Sequence, residues 1–195
     1  MPRIVGQTVA ENRDLRQTAL LNAAAEIAHE QGIAAVTVGA VAERAGIARS
    51  SVYSYFASGA DMIADILVDE LITMAAHLKE ATAPAQTEEE AVDLWMRAAL
   101  QYVIEGRHAF VRAASTADLP PTRKAQVNGL HHAMAAPLLR ALRHRGETEA
   151  MRLAQQINAV VEVCVRRIEH GGDVETEIAA AEAFIYAGLA DDLDA

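Results

Sequence analysis

The chain is poor in most of the residues that would commit it to anything other than helices. Cys164 is its only cysteine, so no intrachain disulfide can form, and a reducing compartment is expected. Glycine and proline, 11 and 5 in 195 residues, are too few for a disordered chain. β-branched runs are short and alanine is abundant, which favours helix over strand. No stretch approaches the ~20 apolar residues of a membrane span. The opening MPRIVGQTVAENRD has no apolar core long enough for a signal peptide, so a cytoplasmic protein without membrane attachment is expected. No nucleotide-binding glycine motif, Cys/His zinc spacing or serine-nucleophile elbow occurs. No catalytic residue, metal or cofactor is therefore assigned. Hydrophobic residues make up 52% of the chain, enough for a packed core.

Aromatic residues are scarce too, one Trp, four Tyr and three Phe, yet Tyr53, Tyr55 and Phe56 fall within four positions. They close the stretch TVGAVAERAGIARSSVYSYF, residues 37–56. A short apolar-periodic segment (Val38, Val41, Ala42, Ala45) ends at Gly46, and a second begins at Arg49. That is the pattern of a helix-turn-helix. Thr37 has the hydroxyl of an N-cap, and Gly46 can take the left-handed conformation that ends a helix. Ile47 is placed to plug the space between the helices.

On a helical wheel the second segment divides in two. Val52 and Phe56 share an inward face. Ser50 and Ser54 lie opposite, with Ser51 and Tyr53 on the flanks. Arginine reaches guanine edges, serine bonds to several base edges, and Ser or Tyr holds phosphates. Serine is a poor helix former, so three of them beside two tyrosines suggest contact rather than mere solvation. Thr37, Arg49, Ser50, Ser51, Tyr53, Ser54 and Tyr55 are the candidate DNA-contacting residues.

With these residues in place, residues 13–62 resemble the DNA-binding domain of the TetR family of bacterial transcription regulators. The likeness runs through Gly32-Ile33, Thr37-Val38, Val41-Ala42, Ala45-Gly46-Ile47 and Val52-Tyr53-Ser54-Tyr55-Phe56. It closes with Ser58 and Asp61-Met62. Two positions depart from the family pattern. Ala48 stands where Ser or Thr usually caps the recognition helix, a loss of ~1 kcal/mol. Gly59 stands where a lysine often touches phosphate.

The net charge of −10 is unevenly placed. Residues 1–60 carry five basic and five acidic groups and are neutral, so all the excess negative charge falls in residues 61–195. The reader segment is not repelled by DNA, but it forms no basic patch. Affinity must come from hydroxyls, a few arginines and duplication by dimerisation.

Along the chain, residues 1 to about 10 read as an arm. Arg3 either reaches a minor groove or sits in a disordered tail. A first helix is predicted over 12–31, stopped by Gly32. After the helix-turn-helix come helices over about 60–80, 88–105, 107–117, 122–145, 148–169 and 173–190. Pro137 predicts a kink in the fourth of these, over 122–145. The fold class is all-α, with about nine helices. A DNA-binding domain (1–58) precedes an effector-binding and dimerisation domain (59–195); the arrangement is implied mainly by the resemblance.

In the helix over 148–169, Leu153, Ile157, Val160, Val161, Cys164 and Ile168 make a wide apolar stripe. Cys164 reads as packing rather than a redox switch. The last helix has Ile178, Ile185 and Leu189 on one face and Ala180, Ala183, Phe184 and Ala187 on another. A helix apolar nearly all round is buried on both sides, either by the monomer or by another subunit. We expect a two-fold dimer in which these two helices and their mates form a four-helix bundle, as the resemblance also implies. Its interface residues are Ile157, Val161, Cys164, Ile168, Ala180, Ala183, Phe184 and Ala187.

A small-molecule effector is expected among the middle helices, lined by Trp95, Met96, Tyr102, Phe110, His131 and Met134. Core packing explains the aromatics and methionines equally well, and His131 could instead bond a carbonyl. A rival enzyme class rests on Glu26-x-x-His29 and Glu105-x-x-His108, the spacing of helical di-iron carboxylate proteins. Glu26 and His29 lie opposite their helix's apolar face, and Gly106 interrupts the second pair. The expected function is a homodimeric repressor of a near-palindromic operator in double-stranded DNA, released by a small apolar effector. The alternative of the same fold is an effector-independent regulator or an activator.

Overall fold

The computed structural model describes residues 8–105, 109–114 and 117–191, and every regular element among them is helical. Nine α-helices run in order among these residues: α1 Val9–Gln31, α2 Val38–Ala45, α3 Arg49–Val52, α4 Gly59–Ala81, α5 Glu88–Ile104, α6 Ala109–Ala114, α7 Pro121–Ala141, α8 Glu147–Glu169 and α9 Val174–Asp191. The expected arm residue Arg3, and Gly106 and His108, lie outside the described residues.

The described residues within Met1–Leu71 and Ala109–Gly129 pack as one unit, and those within Ile72–His108 and Leu130–Ala195 as another. Packing divides the chain inside α4 and inside α7, not at the 58/59 boundary expected from sequence.

In the first unit α1 begins at Val9, three residues earlier than expected, because Thr8 and Glu11 form a capping box. The Glu11 amide donates to Thr8 Oγ1 at 3.1 Å, and the Thr8 amide donates to Glu11 Oε2 at 2.9 Å. α1 packs on α2, α2 on α3, and α6 on α1. Leu20, Ala24 and Ile27 of α1, Val38, Val41 and Ala42 of α2, then Val52, Phe56, Met62 and Ile63 are all buried. Ser58 starts α4 by accepting the Asp61 amide at 3.2 Å while donating to its carboxylate at 2.8 Å. Asp65 of α4 pairs with Arg123 of α7.

In the second unit Thr87 caps α5, accepting the Glu90 amide at 3.1 Å, and three glutamates occupy the helix's positive end. α7 stays helical through Pro137 to Ala141, and a 3-10 turn, Leu142–Arg145, replaces the remainder of the expected helix. Arg145, in that turn, grips Glu88 at 2.7 Å through Nη2 and at 3.1 Å through Nε. The same Nη2 donates to the Leu189 carbonyl at 3.2 Å, so one side chain joins the turn to α5 and α9. α8 and α9 meet through Gly171, at φ 92°, and Gly172, where a Cβ would sit 2.9 Å from the Arg167 carbonyl oxygen. The core gathers Leu78, Trp95, Met96, Leu100, Tyr102, Leu138, Leu142, Ile157, Val161, Cys164, Ile178 and Ile185.

Candidate nucleic-acid interface

The recognition segment is built on two anchors. Thr37 accepts the Ala40 amide at 3.1 Å and starts α2. Gly46 ends it at φ 66°, ψ 31°, the left-handed conformation that releases the chain toward α3. The Ile47 amide closes the turn onto the Ala42 carbonyl at 3.0 Å. Ala48 supplies no side-chain cap, as its methyl group requires.

The segment after Ala48 was expected to stay helical to Phe56. Instead α3 ends at Val52, and residues 53–55 are turns. The Ser54 amide bonds back only three residues, to Ser51 O at 3.2 Å, and the Ser54 hydroxyl donates to the same carbonyl at 2.6 Å. A serine-rich stretch without a cap has little helical propensity, and side-chain bonds of this kind compete with the helix ladder. The inward face survives: Val52 is 0% and Phe56 3% exposed.

Above it, Arg49, Ser50, Tyr53 and Ser54 are exposed, as is Thr37, while Ser51 and Tyr55 are half-buried. Tyr53 presents a ring that is 51% exposed. Arg49 Nη2 lies 3.4 Å from the Tyr53 hydroxyl, so the two side chains form one polar edge. The guanidinium of Arg13, from α1, lies 5.3 Å from the centre of the Tyr55 ring. Arg13 escaped the sequence reading because nothing in one dimension sets it beside Tyr55.

The arginine count overstates the charge available here. Arg44 turns to α1, pairing with Glu30 at 2.7 Å and Glu26 at 3.5 Å. Its hydrogen bond holds the Glu30 carboxyl below the usual carboxylate range, with the guanidinium's charge acting the same way. These exposed pairs stitch α2 to α1 but contribute little stability. Glu26 and His29 face solvent, as expected, and Glu26 faces Arg44 rather than a bundle core.

The expected effector wall divides. Trp95, Met96 and Tyr102 are 2%, 1% and 1% exposed in the second unit's core. The Trp95 indole N–H donates to the Met134 carbonyl at 2.9 Å, tying α5 to α7. Met134 is half-buried against that core. Phe110, half-buried, belongs to the first unit; the other five belong to the second. His131, expected to line an effector cavity, is exposed, and residues 128–133 around it are exposed or half-buried. Partial desolvation lowers its imidazole pKa, and Glu162 acts in the opposite sense. His77 was not anticipated. Its Nε2 is buried without a hydrogen-bond partner among the described residues, and its ring centre lies 5.8 Å from that of Tyr102.

The expected dimer face also divides, and here the helix over 147–169 is corrected. Ile157, Val161 and Cys164 are 3%, 5% and 5% exposed within a single copy, and Ile168 packs against the same core. The core of a single copy thus already covers Ile157, Val161 and Cys164, while Ile168 is half-buried. Burial raises the Cys164 thiol pKa, in keeping with a packing role. Ala180, Ala183, Phe184 and Ala187 are exposed, Phe184 at 69%. On α8 the outward apolar groups are Met151, Ala159 and Val163 instead.

A two-helix reader that buries Val52 and Phe56 and exposes Arg49 and Tyr53 defines a helix-turn-helix DNA-binding protein. Residues 20–66 match the family model described as bacterial regulatory proteins, tetR family. The fold agrees over most of the chain. It superposes on a TetR-like transcriptional regulator from Rhodococcus sp. RHA1 with a TM-score of 0.67, at 20% identity, covering 91% of this chain and 97% of that one. For the regulator FadR from Bacillus subtilis, in complex with stearoyl-CoA, the values are 0.68, 15%, 86% and 96%. For the flavonoid-responsive regulator FrrA they are 0.68, 24%, 89% and 96%. At these identities the likenesses establish the fold. No protein of curated function matches the sequence.

Proposed function

We propose that the protein is a cytoplasmic, homodimeric transcription repressor that grips a near-palindromic operator and is released by a small, largely apolar effector. The observation that carries this is the exposed Arg49–Tyr53 edge above a buried Val52–Phe56 pair in a TetR-type reader. Residues 1–58 read DNA; residues 59–195 dimerise and take the effector. Thr37, Ser50, Ser51, Ser54 and Tyr55 support the edge, and two such edges enter successive major grooves ~34–36 Å apart. A second copy seats on Ala180, Ala183, Phe184 and Ala187 of α9, with Met151, Ala159 and Val163 of α8 beside them. No helix among the described residues is long and apolar enough to cross a membrane.

An effector is supported by two features: fold relatives that hold stearoyl-CoA or respond to flavonoids, and the buried, unpartnered Nε2 of His77 beside Tyr102. A buried polar atom without a protein partner suits a ligand or water that reaches it. The effector acts only through a difference in affinity between the DNA-competent dimer and another state.

Arg49→Ala and Tyr53→Ala should each abolish a gel shift on an operator enriched from random DNA, with circular dichroism and melting unchanged. Full-strength shifts by both variants would remove this face from the interface.

A further inference from the structure

The reader is short of available cations. No lysine precedes Lys79 in the chain. Arg44 is held by Glu30 and Glu26. At Gly59, the start of α4, a Cβ would overlap the carbonyl oxygen of Val36, so no side chain can extend toward DNA from there. Phosphate binding by this domain must draw on arginines elsewhere.

We propose that Arg13 is a phosphate-contacting residue of the DNA interface, posted beside the recognition turn by the ring of Tyr55. The inference rests on the DNA-binding reading above and adds a contact from α1. Tyr55 is half-buried and fixed by the turn, where its amide bonds to Val52 O at 2.9 Å. The exposed guanidinium of Arg13 lies 5.3 Å from the ring centre. A guanidinium held over a ring offers its flat side to the aromatic and keeps the N–H donors around its rim for other partners. A phosphate oxygen is the partner such donors suit best, and duplex DNA is the phosphate-bearing ligand a helix-turn-helix meets. With Arg49 beside Tyr53, the recognition turn then carries two Arg–Tyr pairs. Arg49 serves the groove, and Arg13 serves the backbone.

The test is the salt dependence of binding to a labelled generic duplex of about 30 bp, titrated between about 50 and 200 mM NaCl. Arg13→Gln keeps bulk and polarity but removes the charge. Its plot of log affinity against log salt should be shallower than wild type by about 0.9 per protomer, about 1.8 per dimer. Arg13→Lys should keep the wild-type slope and bind several-fold more weakly, because an ammonium lacks the planar fork. Discrimination between an enriched operator and the generic duplex should be the same in Arg13→Gln as in wild type. An unchanged slope in Arg13→Gln overturns the inference while leaving the DNA-binding reading intact. So does a loss of sequence discrimination in that variant. A wild-type protein whose binding ignores salt overturns both.

Discussion

Helices α8 and α9 pack on each other in one core, yet they place their apolar residues differently. α8 turns Leu153, Ile157, Val161, Cys164 and Val165 inward, and its outer surface mixes Arg152, Gln156, Glu162 and Arg166 with only scattered apolar groups, Met151, Ala159 and Val163. α9 turns Ile178, Ala181, Ile185 and Leu189 inward and still exposes Ala180, Ala183, Phe184 and Ala187. One stripe satisfies one core. A helix with a second stripe implies a second surface, because removing a Phe side chain from water is worth about 1.5–3 kcal/mol. A rich apolar stripe alone therefore does not mark an interface; apolar residues left over once the core is filled do.

That contrast can be broken from either side. The largest effect is expected on α9: Ala183→Glu should convert the dimer to monomers in sedimentation velocity, with little change in the melting of each copy. A persistent dimer would place the interface elsewhere. On α8 the opposite pattern is expected. Ile157→Ala should lower the unfolding free energy by about 2–5 kcal/mol in urea titration, the range for a large core residue cut to alanine. Its effect on dimerisation should follow only from that loss.

A smaller effect sharpens the picture of the reader. Gly59→Ala should destabilise by about 1–3 kcal/mol, since the new methyl group meets the Val36 backbone rather than a movable side chain. An unchanged melting temperature would mean that the start of α4 is not so tightly apposed to residues 36–37.

The smallest effect is a pH dependence. Burial raises the Asp65 carboxyl pKa above the usual carboxylate range, and Arg123 pulls it part of the way back. A raised folded-state pKa gives a contribution to stability that is full below the unfolded pKa and is lost as pH climbs through the folded one. Arg123→Gln should raise that folded pKa further. The stability gap between wild type and variant should therefore widen from about pH 4 to pH 7. A gap independent of pH would show that Asp65 does not depend on its partner.

Much of this was legible in one dimension, and the reasons are local. Thr37 and Gly46 act within a few residues of themselves, so the start and end of α2 could be read directly. Gly32, which stops α1, served equally well. The start of α1 is also written in the chain, in the capping pair Thr8 and Glu11, which apolar periodicity does not register. What was not legible is tertiary. Periodicity gave α8 an apolar stripe without saying which neighbour covers it, so Ile157, Val161 and Cys164 were assigned to a partner. His131 was a plausible cavity-lining residue by type, yet residues 128–133 of α7 are exposed or half-buried among the described residues. Arg44 counted as a reader cation until its partners on α1 appeared. Arg13 meets Tyr55 only in three dimensions.

The most direct test of the central idea, a weakly charged reader made effective by a second copy, is a footprint on an operator selected from random DNA. Two protected half-sites about one helical turn apart, ~34–36 Å, are expected for the wild type, and both should be lost at the same protein concentration in Ala183→Glu. A single protected half-site, held equally well by the monomeric variant, would contradict it.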